Sequence, residues 1–253
     1  MKLLNKLQLQ KLLQLILKKF NLKINYFIDN DYFDFKKFVF NYMKKREKIY
    51  FVQIGGNDGI LNDPIYELCK NFPETFHGYI FEPVPEYFSE LKENYKFSHN
   101  ISLLNLAINN YSETAKIFKV KKKFLNKLDD LSKGIASFQK DWWKNKSTFV
   151  KDANMIEEID VKCVHTHYIT NNLNIDFIDL LIIDTEGYDY EILKNFEFNK
   201  LKPNIIHFEH GLIDDVMNKN KFNEITDLLS KHGYNFVFQN YDLTAYQMKS
   251  LIN

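Results

Sequence analysis

Glycine, proline and cysteine are all scarce in this chain, and their scarcity limits what it can be. The 253 residues include eight glycines, five prolines and two cysteines. So little glycine and proline excludes a collagen-like or low-complexity chain. The two cysteines have no C-x-x-C spacing and therefore indicate neither a disulfide framework nor a zinc site. We expect Cys69 and Cys163 to be reduced and buried in a cytoplasmic protein.

A large net charge and long hydrophobic runs are absent too. The 34 basic and 33 acidic residues leave a net charge of +1, which gives no global attraction to nucleic acid. Lys, Asn and Gln interrupt the leucine-rich residues 1–20, so this segment is too polar to span a bilayer, and it lacks the cleavage site of a secretory signal. It predicts a helix that packs on its own domain or forms a homodimer, and a membrane anchor is the least favoured alternative.

From Tyr50 onwards, short apolar runs alternate with helical stretches. This alternation predicts one α/β domain over 49–253 with a doubly wound, mostly parallel sheet, preceded by a helical extension over 1–48. The polar stretch 121–152, which contains Trp142 and Trp143, is predicted to be a lid or substrate loop. Predicted strands are 50–54, 77–81, 101–105, 178–184, 204–209 and 234–238, and predicted helices lie near 64–71, 84–95, 188–196 and 221–232.

Three of the eight glycines fall within five positions, in FVQIGGNDGI (51–60), directly after the first predicted strand. A glycine turn there is well placed to touch a cofactor. Its spacing is neither the GxxxxGK[ST] of a phosphate loop nor the GxGxxG of a dinucleotide site. The next strand ends in Glu82, and a carboxylate at that position can bind both ribose hydroxyls of an adenosyl ligand. Together these features indicate an adenosyl group without a pyrophosphate, as in S-adenosylmethionine.

Five blocks in a fixed order resemble the FkbM family of S-adenosylmethionine-dependent methyltransferases. They are VQIGGNDG, FEPVPEYFSELKENY, SLLNLAI, IDLLIIDTEGYDYEIL and KPNIIHFEH, and the resemblance covers about residues 50–240. It implies a Rossmann-like class I methyltransferase fold and O-methylation, with a sugar hydroxyl of a nucleotide-activated sugar or glycan precursor as the expected acceptor. A non-sugar small molecule as acceptor, a non-catalytic binding protein and an NAD-dependent oxidoreductase are alternatives, and the missing GxGxxG disfavours the last.

The same resemblance implies which residues contact the cofactor. Gln53 stands where many methyltransferases have an acid, so its carbonyl would accept a hydrogen bond from the cofactor's ammonium, and Asp58 or Asp184 would supply the negative charge. Glu82 would hold the ribose, and the residues after the third strand would flank the adenine. The full expected set is Gln53, Gly55, Asn57, Asp58, Gly59, Glu82, Pro83, Leu106, Ala107, Ser137, Asp184 and Glu186.

Acids and a histidine at the ends of two later strands are the candidate catalytic groups. Methylation of a hydroxyl needs alignment and removal of a proton, so we expect Asp184, Glu209 or His210 to act as the base. Glu209 should lie beside Asp184 if their strands are neighbours. Mg²⁺ bound by these oxygens is a less favoured alternative. His165 and His167 could share one face, but no third zinc ligand is apparent, so a structural or substrate contact is favoured.

Overall fold

The computed structural model describes residues 33–127, 134–141, 144, 150, 152–212 and 217–252. Its helices are α1 (Phe35–Met43), α2 (Tyr66–Asn71), α3 (Pro85–Asn94), α4 (His167–Asn171), α5 (Asp189–Lys194), α6 (Lys219–Lys231) and α7 (Met248–Ile252). Its strands are β1 (Ile49–Ile54), β2 (Phe76–Phe81), β3 (Ile101–Leu104), β4 (Ala107–Ile108), β5 (Thr114–Val120), β6 (Ala136–Ser137), β7 (Ile156–Val164), β8 (Leu180–Ile183), β9 (Ile205–Glu209), β10 (Asn235–Phe238) and β11 (Asp242–Tyr246). Two 3₁₀ turns cover Lys122–Lys127 and Ala153–Met155.

The main sheet has seven strands in the order β10-β11-β9-β8-β1-β2-β3. Strands β3, β2, β1, β8 and β9 are parallel to one another, whereas β11 runs antiparallel to both of its neighbours. The chain moves outward from β1 to β3 and then returns to β8, so the strand order reverses between β1 and β8. The predicted doubly wound, mostly parallel sheet is confirmed. Ligands bind at the carboxyl ends of the strands at such a reversal.

The two strands at the reversal lie in the core of the domain. Ile49 and Phe51 of β1 belong to one hydrophobic cluster, while Val52 and Ile54 belong to the cluster on the opposite face of the sheet. All four residues of β8 are buried. Central parallel strands are covered on both faces, which is why they read as continuous apolar runs in the sequence. Their carboxyl ends are therefore held rigidly.

Helix α1 packs into the same core. Its buried residues Phe35 and Val39 join the cluster that contains Ile49 and Phe51. The hydroxyl of Tyr42 donates a 2.5 Å hydrogen bond to Asp179, which also lies 3.9 Å from Arg46. The described part of the predicted extension is thus tied to the sheet, and its first 32 residues lie outside the described part of the chain.

A second, four-stranded sheet with the order β4-β7-β5-β6 was not predicted. Strand β5 pairs antiparallel with β7 along its whole length, and β6 pairs with β5 through Phe118↔Ser137. Strand β6 belongs to the stretch predicted as a lid or substrate loop. Trp142 and Trp143 of that stretch lie outside the described residues. The second sheet brings part of this stretch next to the carboxyl ends of the main sheet.

Candidate active site

A cleft opens at the carboxyl ends of β1, β2 and β8, where the strand order reverses. Its empty volume is about 920 Å³, part of which is open to solvent. The glycine turn after β1, the segment after β8 and the β6 region form its walls. The lining residues are 53–57, 61–64, 81–83, 106–108, 117, 134–136, 138 and 184–186.

The glycine turn approaches the end of β8 closely at Gly55. This residue has φ +89°, and a Cβ at its position would lie 1.8 Å from the carbonyl oxygen of Asp184. The amide of Asp184 in turn donates to the carbonyl of Ile54 at 2.9 Å. Only glycine fits both the backbone conformation and the close approach. The contact fixes Asp184 beside the turn, at the edge of the cleft.

Glu82 is buried in the cleft wall with both carboxylate oxygens on backbone amides. One oxygen accepts from Asn57 N at 2.8 Å and the other accepts from Val84 N at 2.8 Å, and the residue is only 4% exposed. Burial raises the pKa of Glu82 to about 8, although these amides act in the opposite direction. Each carboxylate oxygen has a further lone pair. Glu82 can therefore accept additional hydrogen bonds from ligand hydroxyls in the cleft.

Gln53 and Asp63 form a buried pair on another wall of the cleft. Gln53 Nε2 donates to Asp63 Oδ2 at 2.8 Å, and the two residues are 2% and 5% exposed. Gln53 Oε1 is buried and has no hydrogen-bond partner among the described residues. Asp63 Oδ1 accepts from the amides of Ile65 and Tyr66 at 2.8 and 2.5 Å, next to the start of α2. Burial raises the pKa of Asp63 to about 6.

Sequence reasoning missed Asp63. Its only signal is an acid directly before Pro64 and a short helix, which is the ordinary pattern of a helix cap. Its place in the cleft depends on how α2 packs against the end of β1. The residues next to Asp63 in the sequence do not indicate how α2 packs.

Residues 134–139, here called the strap, connect the glycine turn with the segment after β8. A Cβ at Gly134 would lie 2.2 Å from Asn57 Nδ2, so the strap lies directly against the turn. At its other end, Ser137 Oγ donates to the carbonyl of Glu186 at 2.7 Å. Gln139 Nε2 donates to the carbonyl of Gly187 at 3.4 Å. The strap therefore closes one side of the cleft.

The structure brings together most of the predicted cofactor contacts. Those that line the cleft are Gln53, Gly55, Asn57, Glu82, Pro83, Leu106, Ala107, Asp184 and Glu186. Asp58 is not among the lining residues, because its carboxylate accepts from the amides of Ile60 and Leu61 and caps the turn. Gly59 packs against the side chains of Leu91 and Tyr95. Ser137 binds the backbone of Glu186 as described above, so its contact is with the cleft wall.

Two of the three candidate bases, Glu209 and His210, are not among the residues that line the cleft. Both ring nitrogens of His210 are bonded to backbone: Leu212 N donates to Nδ1 at 3.2 Å, so Nε2 carries the proton and donates to Gln239 O at 3.1 Å. Burial also lowers the pKa of His210. The register of β8 and β9 places Asp184 level with Glu209, as expected for neighbouring strands, but only Asp184 lines the cleft.

The described residues contain no group of three His, Cys, Asp or Glu side chains placed to hold a metal ion. His165 and His167 stack on each other with ring centroids 5.0 Å apart.

None of the helices in the described ranges is both long enough and apolar enough to cross a membrane.

Comparison with protein families identifies the fold and the chemistry. The model of the methyltransferase FkbM domain matches residues 53–236, which is most of the chain. The chain belongs to the FkbM methyltransferase family. As a member it is an S-adenosylmethionine-dependent methyltransferase with the Rossmann-like class I fold, and the match begins at Gln53 of the cleft. No curated protein is detectably similar to this FkbM methyltransferase in sequence.

Several solved structures match this chain at low similarity. A Listeria monocytogenes protein assigned to the class I methyltransferases has 13% identity and a TM-score of 0.43, covering 95% of this chain and 68% of its own. NodS, an N-methyltransferase of Bradyrhizobium japonicum, has 8% identity and a TM-score of 0.39, covering 83% and 91%. The Methanococcus jannaschii pre-rRNA processing protein fibrillarin has 14% identity and a TM-score of 0.40, covering 80% and 67%.

The residues of the cleft fit the cofactor of the family. Gln53 lines the cleft, and its Oε1 is a buried acceptor without a partner among the described residues, so it can accept a hydrogen bond from an ammonium group. Glu82 offers a carboxylate where ribose hydroxyls are expected. Leu106 and Ala107 provide an apolar wall for an adenine ring.

Proposed function

We propose that this FkbM methyltransferase is an O-methyltransferase that acts on a sugar hydroxyl of a glycan or nucleotide-activated precursor. The observation that carries the proposal is the position of Asp184. It is the only one of the three candidate bases that lines the cleft, and its side chain is exposed there beside the glycine turn. A carboxylate at that place can receive the proton that a hydroxyl loses on methylation.

Different residues of the cleft would bind the cofactor and accept the proton. The bound cofactor supplies an electrophilic methyl group on a sulfonium. Gln53 and Glu82 would hold the polar ends of the cofactor, and Asp184 would accept the proton that the acceptor hydroxyl loses when it takes up the methyl group. The cleft would also have to align the two reactants, because an in-line displacement requires the attacking oxygen opposite the leaving group.

The polarity of the cleft supports a polyhydroxylated acceptor. Asn62, Thr185 and Glu186 line it together with Asp184. Amide, hydroxyl and carboxylate groups are the side chains that hydrogen-bond to sugar hydroxyls, because they combine donors and acceptors. The apolar strap residues Ile135 and Phe138 line the cleft as well and can contact the face of a ring.

A direct test is to incubate the purified protein with S-adenosylmethionine and separate pools of nucleotide sugars, neutral oligosaccharides, amino sugars and non-sugar alcohols. Mass spectrometry of each pool would detect a methylated product, and NMR of the product would locate the methyl group. The proposal expects an O-methyl sugar, and Asp184→Asn should abolish its formation while S-adenosylhomocysteine still binds. Methylation of nitrogen, or of the non-sugar alcohols alone, would refute the assigned acceptor.

A further inference from the structure

The buried pair of Gln53 and Asp63 has a role in the cleft beyond packing. We propose that Asp63 is a positioning residue for cofactor binding: it orients Gln53 so that Oε1 accepts from the cofactor's ammonium, and it supplies the negative charge beside that group. This inference rests on the S-adenosylmethionine assignment and adds a residue that the family resemblance did not indicate. It replaces the expectation that Asp58 or Asp184 supplies this charge.

The orientation of Gln53 follows from the chemistry of its partner. An ionised carboxylate only accepts hydrogen bonds, so Asp63 Oδ2 must face Gln53 Nε2, and the 2.8 Å contact has this arrangement. The amide is planar, so Oε1 then points away from Asp63. This atom is the one that is buried without a partner among the described residues, and Gln53 lines the cleft.

Protonation of Asp63 would reverse the direction of the hydrogen bond between Asp63 and Gln53. A neutral acid can donate its O–H to Gln53 Oε1, which would turn Nε2 towards the cleft. An N–H group there would face the cofactor's ammonium, and two donors repel each other. The ionisation of Asp63 therefore decides whether Gln53 presents an acceptor or a donor.

Other charged and titratable groups around Asp63 come from three helical regions. Lys36 of α1 favours its ionised form. Burial, and after it the Asp63 charge, raises the pKa of the Cys69 thiol of α2 and of the Tyr95 hydroxyl just after α3. Asp63 therefore supplies the carboxylate in this part of the cleft wall. The Asp58 carboxylate instead accepts hydrogen bonds from backbone amides of the glycine turn.

Two ligands that differ in their amino-acid part can show whether Asp63 acts in ligand binding or only in maintaining the structure. S-Adenosylhomocysteine carries the ammonium, and 5′-methylthioadenosine has the same adenosyl thioether without it. Calorimetry at about pH 8, where Asp63 is ionised, should show that Asp63→Asn weakens S-adenosylhomocysteine binding roughly tenfold to a hundredfold. The affinity for 5′-methylthioadenosine should change by less than about twofold, because that ligand makes no ammonium contact.

The design includes a rescue and a matched control. Asparagine keeps Oδ1 for the amides of Ile65 and Tyr66, so Asp63→Asn should fold normally. Combining it with Gln53→Glu exchanges the acid and the amide, and should restore S-adenosylhomocysteine affinity to within about threefold of the parent protein. Glu93→Gln removes one negative charge from an exposed pair with Lys96 and should change neither affinity.

Unchanged S-adenosylhomocysteine affinity in Asp63→Asn would overturn the proposal. Equal loss of both ligands would also overturn it, because that pattern indicates a structural role. If the parent protein bound neither ligand, the cofactor assignment would fail and this inference with it.

Discussion

The hydroxyl of Ser137 donates a 2.7 Å hydrogen bond to the backbone carbonyl of Glu186. Glu186 has φ +53°, a left-handed conformation that is unfavourable for a residue with a side chain. The bond therefore holds a strained residue on the cleft wall, and its donor comes from the strap, which contacts the segment after β8 directly. The shape of the cleft depends on this connection between two elements that are distant in sequence.

Ser137→Ala should loosen the segment after β8. The hydroxyl also accepts from Gln139 N at 3.1 Å, so the change removes two neutral hydrogen bonds, each worth about 0.5–1.5 kcal/mol of unfolding free energy. It should also weaken S-adenosylhomocysteine binding by a few-fold, because Glu186 would no longer be fixed. Thermal unfolding and calorimetry measure the two effects. Ser98→Ala, which removes a hydroxyl contact to Asn100 far from the cleft, is the matched control for binding. Full affinity in Ser137→Ala would show that the strap contact does not shape the cleft.

Glu82→Ala should remove the ribose contact. Above about pH 8, where Glu82 is ionised, a charged acceptor contributes roughly 1.5–3 kcal/mol, so the affinity for S-adenosylhomocysteine should fall by one to two decades. Unlike Asp63→Asn, this change should weaken 5′-methylthioadenosine by a similar factor, because both ligands carry the ribose. Calorimetry with both ligands tests it, and the exposed Glu93→Gln is again the control. A loss confined to S-adenosylhomocysteine would place the ribose elsewhere.

The central strands could be predicted because they are buried on both faces. The continuous apolar run IDLLIID predicted a strand over 178–184, and the structure has β8 at Leu180–Ile183. In contrast, β5 and β11 alternate polar and apolar residues in TAKIFKV and DLTAY, and their pairing depends on partners distant in the chain. Neither was predicted, because single-strand patterns of this kind do not identify a partner.

The candidate site also contains residues that could be predicted from the sequence and residues that could not. Glu82 was identifiable because it directly follows a strand, and strand ends meet at the cleft. His210 also follows a strand, yet its side chain is turned to the backbone of Gln239 by the chain after β9. Asp63 lies on no strand, and its position comes from the packing of α2. Residues placed by the sheet were predictable, and residues placed by loops and short helices were not.

Tyr42→Phe should destabilise the domain without affecting cofactor binding. The Tyr42 hydroxyl ties α1 to the buried Asp179, and a hydrogen bond to a charged partner is worth roughly 1.5–3 kcal/mol. The contact lies at the amino-terminal side of β8, whereas the cleft is at the opposite end of that strand. Chemical denaturation and calorimetry measure the two properties. Tyr241→Phe, at a 47% exposed position, should change neither. A weakened S-adenosylhomocysteine affinity in Tyr42→Phe would show that α1 influences the cleft.

Asp63→Asn should also change how stability depends on pH, in a direction set by the raised pKa. The pKa of Asp63 is about 6 in the folded protein and roughly 3.9 in an unfolded chain. Between these values the folded state binds more protons, so this group lowers the free energy of unfolding as pH rises from about 4 to 6. The loss is complete above that range and is of the order of 3 kcal/mol.

The variant has no such group, so its stability should fall less over the same range, and the difference in unfolding free energy between the two proteins should shift in favour of the variant as pH rises. Denaturation at several pH values measures the difference, and Glu93→Gln should follow the parent curve. A parent protein that gains stability relative to Asp63→Asn as pH rises through 6 would contradict the raised pKa. If the expected result is found together with weaker S-adenosylhomocysteine binding, Asp63 lowers stability in its ionised form while that same form strengthens binding. That combination is typical of a binding group and not of a structural cap.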